Sequence, residues 1–338
     1  MHLETTTDRK AVNIMSVKSE LLRLFEQNEE GLVSGSMVAK ELGVSRNAVW
    51  KAIEALRADG YNITAATNKG YRLESSGDIL TKAGILGYLK TSDIFEVEVL
   101  KSVTSTNTLL REKATEGAPE GYLLAAEMQT AGKGRRGRNF HSPAGHGVYF
   151  SLLLKPGSKT NEAPLLTSAA AVAAAQAIEE VIGVSVGIKW VNDLFSDGKK
   201  VCGILTEAVF DMESGLIDSA VVGIGINITK PETGYPEEIA DIATALTDEN
   251  ATVDSRRCRL IATTINNFWE FYQNLGKREF LSEYRKRSII LGKDIKVISA
   301  DVETPARALE IDDDCGLVVR YESGEIKTLS SGEISIRL

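Results

Sequence analysis

Residues 129–138 read QTAGKGRRGR, in which three glycines are interleaved with four cations directly after the apolar run Tyr122–Glu127. Glycines let backbone amides approach a ligand closely, and guanidinium and ammonium groups supply the positive field that phosphate oxygens require. The segment is neither a Walker loop, which needs a Gly-Lys-Ser/Thr ending, nor the dinucleotide fingerprint that opens a helix. It therefore predicts a phosphate-binding loop outside the usual nucleotide-binding folds, with a solvated basic patch as the alternative.

The composition bounds the class of protein. A chain of 338 residues predicts two or three domains, and 43% hydrophobic with 25% charged residues is typical of globular proteins. Three widely separated cysteines without CxxC spacing argue against a disulfide framework or a structural zinc site and favour a reducing cytoplasm. The Ala-rich apolar stretch Ala163–Ile178 is shorter than a membrane span and is predicted to be a buried helix. No signal peptide is visible, so we expect a cytoplasmic protein that avoids membranes.

The first segment, residues 16–75, has the pattern of a winged helix-turn-helix. Apolar residues at helical spacing predict three short helices, marked by Val17, Leu21, Leu24 and Phe25, by Met37, Val38 and Leu42, and by Val49, Ile53 and Leu56. Ser34 and Ser36 are candidates to cap the second helix, and Ser45 is a candidate to cap the third. Two short strands, Tyr61–Thr64 and Gly70–Leu73, predict the wing around a turn-like cluster at residues 68–70.

The third helix is the candidate DNA-reading element. The predicted DNA-binding residues lie on it or at the helix starts: Ser36, Ser45, Arg46, Asn47 and Lys51. Between Ser16 and Ser75 eight basic residues balance eight acidic ones, so one copy is expected to bind DNA weakly. Dimerisation would place two copies on one site. The alternative is a small helical protein-interaction module.

The remainder predicts two further domains. Residues 79–285 alternate strand-like and helical runs, which favours a mixed α/β domain, with strands predicted at Phe95–Leu100, Tyr122–Glu127, Val148–Leu154, Val184–Trp190, Lys200–Ala208 and Ala220–Ile228. Residues 289–338 predict a small β-barrel, with strands at Ile295–Ser299, Ala306–Ile311, Leu317–Tyr321 and Glu325–Ser330. The fold class is thus α+β and multidomain.

Candidate ligand-binding residues accompany the basic loop. Ser105, Thr106 and Asn107 follow a predicted strand and offer groups that both donate and accept, as a neutral polar ligand requires, although such a trio also serves as a helix cap. Lys189 lies within an apolar run, where a cation needs a partner unless the strand is at an edge. Gln129 directly precedes the basic loop.

Glycines and histidines add two further observations. Gly223 and Gly225, just before Asn227, interrupt an apolar strand, which is typical of close backbone approach to a ligand. His141 and His146 are five residues apart in a loop that contains glycine and proline, which makes a poor metal site. No protein metal site is therefore expected.

Five motifs in order, QTAGKGRRGR, KWVNDLF, KKVCGILTE, VVGIGINI and GEISIRL, follow the winged segment. Together they make the chain resemble the bifunctional biotin protein ligases that double as biotin operon repressors. The resemblance implies a catalytic domain of the biotin/lipoate ligase type, similar to class II synthetases, and a C-terminal SH3-like barrel. It also implies formation of biotinyl-5'-AMP from biotin and ATP with Mg²⁺, followed by transfer of biotin to a lysine of a carboxylase's biotin carrier domain. It further implies operator binding and a homodimer when the adenylate is bound.

The resemblance also implies roles for individual residues. It assigns biotin binding to Ser105, Thr106, Asn107, Gln129, Lys133, Gly134, Arg135 and Lys189. Lys189 and Arg135 are the implied catalytic cations. It assigns nucleotide binding to Arg136, Arg138, Phe140 and Asn227. Two positions depart from the family pattern, since Lys133 stands where arginine is common and Val191 where proline is common.

Three alternatives stay open at this point. A lipoate or octanoate ligase has a similar core, but its pocket should be a longer apolar tunnel without the polar trio. A purely regulatory DNA-binding protein could sense a metabolite without turnover. A ligase could also carry a winged segment that does not regulate transcription.

Overall fold

The computed structural model describes residues 17–25, 32–58, 60–66, 70–73, 78–156, 163–210, 217–247, 256–299, 302–330 and 332–336. The chain forms two compact units, residues 1–92 with 252–262 and residues 93–251 with 263–338. The central α/β domain and the C-terminal β-domain therefore belong to one compact unit.

The first unit contains the winged helix-turn-helix. Its elements are α1 (residues 17–25), β1 (Leu32–Val33), α2 (Gly35–Glu41), α3 (Arg46–Ala58), β2 (Ile63–Ala66), β3 (Gly70–Leu73) and α4 (Lys82–Tyr88). The strands pair antiparallel in the order β1-β3-β2, so the predicted hairpin gains a third strand that the sequence analysis missed. Residues 67–69, at the predicted tip of the wing, lie outside the described residues.

Helix α3 has the predicted orientation. Its inward residues are at most 1% exposed: Val49, Ala52, Ile53 and Leu56. Arg46, Asn47 and Lys51 are exposed on the opposite side. The backbone N–H of Ala48 donates to Ser45 Oγ at 3.1 Å, which confirms Ser45 as the cap.

The start of helix α2 differs from the predicted side-chain cap. The helix begins at Gly35, so Ser36 already lies inside it and Ser34 occupies the capping position. Neither residue caps through its side chain, because the two hydroxyl groups lie 2.9 Å apart and bond each other instead. Ser36 remains exposed.

Helix α4 packs within the first unit on the start of α7 (Arg256–Gln273). The Asp78 carboxylate accepts from the backbone N–H of Arg257 at 3.0 Å and forms an ion pair with its Nε at 3.2 Å. Thr81 caps α4 by accepting from Gly84 N at 3.0 Å. The compact unit thus extends past residue 75, because contacts distant in sequence tie residues 78–84 to residues near 257.

The second unit is built on a seven-stranded sheet. Its strands are β4 (Glu96–Leu100), β5 (Tyr122–Ala126), β6 (Gly147–Leu154), β7 (Gly187–Lys189), β8 (Asp193–Ser196), β9 (Lys199–Phe210) and β10 (Ile217–Asn227), in the order β4-β5-β6-β10-β9-β8-β7. Only the β4–β5 pair is parallel. The short strand β8 was absent from the sequence analysis.

Different helices pack on the two faces of this sheet. Opposed residues in a ladder share a face, so the register Ser151↔Gly223↔Leu205 places these three side by side. Helix α5 (Thr106–Thr115) packs on this face through Leu110, beside Leu153 and Val221. Helix α6 (Ala163–Ile182) lies on the other face, where the hydroxyl of Thr167 bonds that of Thr206 at 2.8 Å.

Helix α6 is the only helix among the described residues that is long and apolar enough to cross a membrane. Its most apolar window is 67% buried within the protein. Twelve of its residues, Ala-rich as the sequence shows, are buried. It is therefore the core helix that the sequence analysis predicted.

The C-terminal part is an antiparallel sheet of β11 (Asp294–Ser299), β12 (Val302–Ile311), β13 (Leu317–Tyr321), β14 (Ile326–Leu329) and β15 (Glu333–Ile336), in the order β14-β13-β12-β11-β15. Helix α8 (Leu281–Arg287) precedes it. The strand β15 was not predicted as a strand, although it lies in the terminal motif GEISIRL. The predicted fold class is confirmed.

Candidate active site

A cavity of about 240 Å³ opens on the sheet face that α5 shares. It is lined by all twelve residues predicted to bind the small ligands: Ser105, Thr106, Asn107, Gln129, Lys133, Gly134, Arg135, Arg136, Arg138, Phe140, Lys189 and Asn227. These residues come from separate segments of the chain, and the fold brings them together at one place. Their individual roles stay predictions.

Four polar residues form what we call the cavity floor: Ser105, Thr106, Asn107 and Gln129. The first three are at most 4% exposed at the start of α5, and Ser105 is also the helix cap, with Oγ 3.5 Å from Thr108 N. Gln129 Oε1 accepts from the backbone N–H of Thr106 at 2.8 Å. The trio thus serves both as helix start and as cavity wall, because the first turn of α5 points into the cavity.

The glycines of β10 make room for side chains of the protein itself. A Cβ at Gly223 would lie 1.9 Å from Asn107 Oδ1, and a Cβ at Gly225 would lie 2.5 Å from the Phe140 ring. Both glycines also line the cavity, so the expected approach of a ligand stays a prediction. In the structure their closest neighbours are Asn107 and Phe140.

The cationic loop, residues 133–138, is more exposed than the floor. Lys133, Arg136 and Arg138 are exposed, while Gly134 and Arg135 are half-buried. The loop is closed by a hydrogen bond from Gly134 N to Arg138 O at 2.7 Å, and Arg136 adopts a left-handed conformation with φ of 54°. Arg135 Nη1 donates to Asn192 Oδ1 at 3.2 Å, so the loop is tethered to the turn after β7.

Two lysines reach the cavity from the strands. Lys189 Nζ lies 5.4 Å from the centre of the Phe195 ring, which is cation–π range. Lys200 Nζ forms an ion pair with Asp193 Oδ1 at 2.6 Å, and both residues line the cavity. The sequence analysis overlooked Lys200, although it belongs to the motif KKVCGILTE, because a lysine before a strand usually points to solvent.

The turn between β7 and β8 is anchored by buried side chains. Tyr284 OH donates to Val191 O at 3.0 Å, and Trp190 Nε1 donates to Cys315 O at 2.9 Å. Asn192 Nδ2 donates to Ile204 O at 2.8 Å. The peptide bond between Trp190 and Val191 is cis. Helix α8, strand β9 and the C-terminal sheet thus fix the segment between Lys189 and Asn192.

One end of the cavity is aromatic and apolar. Phe140, His141 and Tyr235 line it with Ile239 and Ile242, and the rings of His141 and Tyr235 are 6.3 Å apart. Burial raises the pKa of Tyr235 to about 12 and lowers that of His141, so both are neutral at pH 7. The sequence analysis did not find residues 235–243, since their loop pattern carries no motif.

Asn227 lines the cavity and also holds a neighbouring loop. Its Nδ2 donates to Thr244 O at 3.1 Å, and its backbone oxygen accepts from Leu246 N at 3.1 Å. Asn227 is 8% exposed. In this structure it therefore holds the loop that forms the aromatic end, in addition to lining the cavity.

The predicted DNA-binding residues lie in the first unit, on or beside α2 and α3. Ser36, Ser45, Arg46, Asn47 and Lys51 are all exposed. The sequence analysis left out Trp50, which is 50% exposed between Asn47 and Lys51 on the same helix. These side chains form a polar surface with one aromatic ring.

Metal and thiol chemistry have few candidates in the part of the chain that the structure describes. No cluster of three or more His, Cys, Asp or Glu side chains that could hold a metal ion occurs there. Cys202, Cys258 and Cys315 are buried and form no disulfide bond among the described residues. Burial raises the pKa of the Cys202 thiol and raises that of Cys315 to about 11, so neither is a ready nucleophile.

Known protein families match the N-terminal, central and C-terminal parts of the chain separately. Family models match an HTH domain at residues 17–72, the biotin/lipoate A/B protein ligase family at residues 99–227, and a biotin protein ligase C-terminal domain at residues 290–337. The bifunctional ligase/repressor BirA of Bacillus subtilis is 35% identical over 95% of this chain and 99% of its own length. The bifunctional ligase/repressor BirA of Escherichia coli is 31% identical over 95% of this chain and 98% of its own length.

A solved structure is also similar. The biotin protein ligase from Aquifex aeolicus in complex with biotin and ATP superposes with a TM-score of 0.59 at 30% identity, covering 72% of this chain and 98% of that one. Fold and cavity thus define a ligase of the biotin/lipoate class with an added helix-turn-helix domain. More narrowly, the chain belongs to the family of bifunctional ligase/repressors.

Proposed function

We propose that this protein is an ATP-dependent biotin protein ligase that forms biotinyl-5'-AMP and passes biotin to a lysine of a biotin carrier domain. The observation that carries this proposal is the single cavity lined by all twelve predicted ligand residues. Its floor offers neutral donors and acceptors, and its other walls carry cations. This division suits a ligand with a neutral polar head and a carboxylate tail beside a nucleotide.

Adenylation needs no nucleophile from the enzyme, because the biotin carboxylate itself attacks the α-phosphate and pyrophosphate leaves. The enzyme must bring two anions together and neutralise the charge that develops on the phosphate oxygens. Lys189 and Arg135 are assigned this role, and Lys200 beside Asp193 is a further cation at the cavity. Losing one such contact typically raises the barrier by about 3 to 4 kcal/mol.

A magnesium ion would accompany the ATP. Mg²⁺ is commonly held by one or two carboxylates together with substrate phosphates and water. The described residues fit that mode, since Asp193 lines the cavity and no larger cluster of metal ligands surrounds it. The ion would neutralise phosphate charge, while Asp193 also orients Lys200.

The nucleotide is assigned to the aromatic end and the exposed loop cations. Phe140 offers a ring face for stacking, and Arg136 and Arg138 can approach phosphate oxygens. The cationic loop would then cover the adenylate and keep water from the mixed anhydride until the acceptor lysine arrives. The tether from Arg135 to Asn192 supports this position for the loop.

A direct assay tests the ligase proposal. The protein is incubated with ATP, Mg²⁺, labelled biotin and a biotin carrier domain, with labelled lipoate and a lipoyl domain in parallel. We expect label on the biotin carrier domain alone. Transfer of lipoate without transfer of biotin would identify the protein as a lipoate-type ligase and overturn the proposal.

We further propose that the first unit represses biotin genes with biotinyl-AMP as corepressor. The exposed face of α3, with Arg46, Asn47 and Lys51, supports DNA contact, and the relatives with the same domain order are named ligase/repressors. Because this segment carries no net charge, a homodimer formed when the adenylate is bound would supply the affinity. The three buried cysteines, which form no disulfide bond in the described part of the chain, support a cytoplasmic location.

Footprinting tests the repressor proposal. Protection of DNA upstream of biotin genes is measured with and without biotin and ATP, and sedimentation at the same concentrations measures dimerisation. We expect protection and dimer to appear together when both substrates are present. Equal protection without substrates would remove the switch, and absence of protection at every concentration would leave a ligase without a repressor role.

A further inference from the structure

A strongly exposed tryptophan lies on the helix that carries most of the predicted DNA-binding residues. Trp50 is the fifth residue of α3 and is 50% exposed. The chain has three tryptophans, all within the described residues, and the other two, Trp190 and Trp269, are only 4% and 9% exposed. No role follows for Trp50 from the sequence motifs or from the cavity, which lies in the second unit.

Trp50 departs from the pattern of α3. The large apolar residues of the inward face are at most 1% exposed: Val49, Ile53 and Leu56. The exposed residues next to Trp50 are polar: Arg46, Asn47 and Lys51. A single exposed apolar residue is common on protein surfaces, so the groups around Trp50 decide which partner it fits.

The groups beside the indole ring carry a net positive charge. Residues three or four positions apart are neighbours on a helix, so Arg46 and Asn47 lie beside Trp50 on the preceding turn. Glu54 lies beside it on the following turn and forms an ion pair with Arg57, with Oε1 2.6 Å from Nη1, so its negative charge is balanced. Arg46 therefore leaves this stripe of the helix positive.

The combination of an apolar ring and cations fits duplex DNA. Arg46 and Lys51 are exposed on either side of Trp50 and can contact phosphate groups, which fix the position of a protein on DNA but carry no sequence information. In the major groove the 5-methyl group of thymine is the apolar feature of the base edges. The N-terminal residues of a recognition helix face those edges, and Trp50 lies in the first half of α3.

We infer that Trp50 reads thymine, with its indole ring against the 5-methyl group of a thymine base in the operator. The inference rests on the proposed repressor function and adds the residue that gives one position of the operator its base preference. Uracil pairs as thymine does but lacks the methyl group. Replacing thymine by deoxyuridine therefore removes this contact and leaves the hydrogen bonds of the base pair unchanged.

The DNA for the test is selected by the protein itself. Full-length wild-type protein with biotin, ATP and Mg²⁺ enriches duplexes from a random-sequence library, and one enriched duplex is used throughout. Failure to enrich any sequence would refute the proposed repressor function, and the inference with it. The measurements on the enriched duplex address Trp50 alone.

Acrylamide quenching of tryptophan fluorescence shows whether DNA covers the ring. Trp190 and Trp269 are buried, so the readily quenched part of the emission should come from Trp50 and be missing in Trp50→Phe. We expect the selected duplex to protect this part of the emission from acrylamide. Full quenching of Trp50 in the saturated complex would show that the ring does not contact DNA, contrary to the inference.

Dissociation constants then test which base is read. Each thymine of the duplex is replaced in turn by deoxyuridine, and fluorescence anisotropy gives Kd for the wild type, Trp50→Ala and Lys51→Ala. We expect at least one replacement to weaken wild-type binding about fourfold, the effect of losing one buried methyl group. In Trp50→Ala the same replacement should have no effect, whereas Lys51→Ala should bind every duplex more weakly and keep the wild-type ratio.

Two further variants serve as controls. Trp50→Phe keeps an aromatic ring and should retain the deoxyuridine penalty, which separates loss of the contact from loss of folding. Ile94 is an exposed apolar residue of the second unit, so Ile94→Ala should bind every duplex as the wild type does. A deoxyuridine penalty that persists in Trp50→Ala, or wild-type binding of every duplex by that variant, would overturn the inference.

Discussion

The cavity floor and the cationic loop line the same space but are built in opposite ways. The floor residues Ser105, Thr106 and Asn107 are almost fully buried, and hydrogen bonds from strands β6 and β9 and from Gln129 hold Thr106 and Asn107. The loop exposes most of its cations, and its bonds include two backbone bonds between Gly134, Arg135 and Arg138 and the tether from Arg135 to Asn192. A preformed floor suits selection of a ligand, whereas an exposed loop suits closure over a product.

This contrast has an energetic basis. A buried polar group without its partner costs about 1 to 3 kcal/mol, so the floor must be complete before the ligand arrives. Exposed charges contribute little until a ligand excludes water around them, so the loop gains its effect only on binding. Changes to the floor should therefore alter recognition, and changes to the loop should alter the lifetime of the bound intermediate.

Lys189 lines the same cavity, and its removal should have the largest effect. Lys189→Ala is expected to lower the rate of pyrophosphate release about 10²- to 10³-fold, because one cation at the reacting oxygens is lost. The exposed Lys101→Ala serves as control. Lys200→Ala is measured in parallel, and near-normal adenylation by Lys189→Ala beside a large loss in Lys200→Ala would transfer the role to Lys200.

Substitutions at the two glycines of β10 should distinguish the contribution of the floor from that of the nucleotide end. In Gly223→Ala the new Cβ would collide with Asn107, so we expect biotin binding to weaken roughly 10²-fold because the floor is displaced. In Gly225→Ala the new Cβ would collide with the Phe140 ring, and the KM for ATP should rise instead. Titration calorimetry with each ligand distinguishes these outcomes. Equal effects of both changes on both ligands would show that floor and nucleotide end are not separable.

Gln129→Ala tests the floor more mildly. The change removes one donor to the ligand and the acceptor that holds Thr106, so the KM for biotin should rise roughly tenfold with kcat altered much less. Steady-state kinetics measure this split. Gln176→Ala, on α6 away from the cavity, is the control. A fall in kcat at constant KM would place Gln129 in the chemical step.

Arg135→Gly tests the loop through the lifetime of the bound adenylate, which is the smallest of the expected effects. Loss of the tether to Asn192 and the added freedom of glycine should shorten the lifetime of enzyme-bound adenylate several-fold, separately from any fall in the adenylation rate that the loss of the cation causes. A chase of labelled adenylate measures its escape. Arg135→Lys keeps the charge but lacks the guanidinium fork, so its adenylate lifetime should lie between those of the wild type and Arg135→Gly. An unchanged lifetime in Arg135→Gly would count against containment by the loop.

Local patterns predicted much of the fold. The inward face of α3, the Ala-rich core helix and most strands of both sheets follow from apolar periodicity, which depends only on neighbours in sequence. The missed elements β1, β8 and β15 are two to four residues long, too short for a period to show. Residues 78–84 joined the first unit through Asp78 and Arg257, a contact that spans 179 positions.

By itself, the sequence determined the order of three domains and the identity of the charged and polar groups in the motifs, because residue type and local spacing carry that information. Only the tertiary structure decided how these groups meet: Asn107 and Phe140 occupy the space above Gly223 and Gly225, and Lys200 turns toward the cavity with Asp193. Ser151 and Glu207 also come within hydrogen-bond distance of Asn107 only there. The direction of a hydrogen bond depends on partners brought together by strand register, and no stretch of sequence contains both partners.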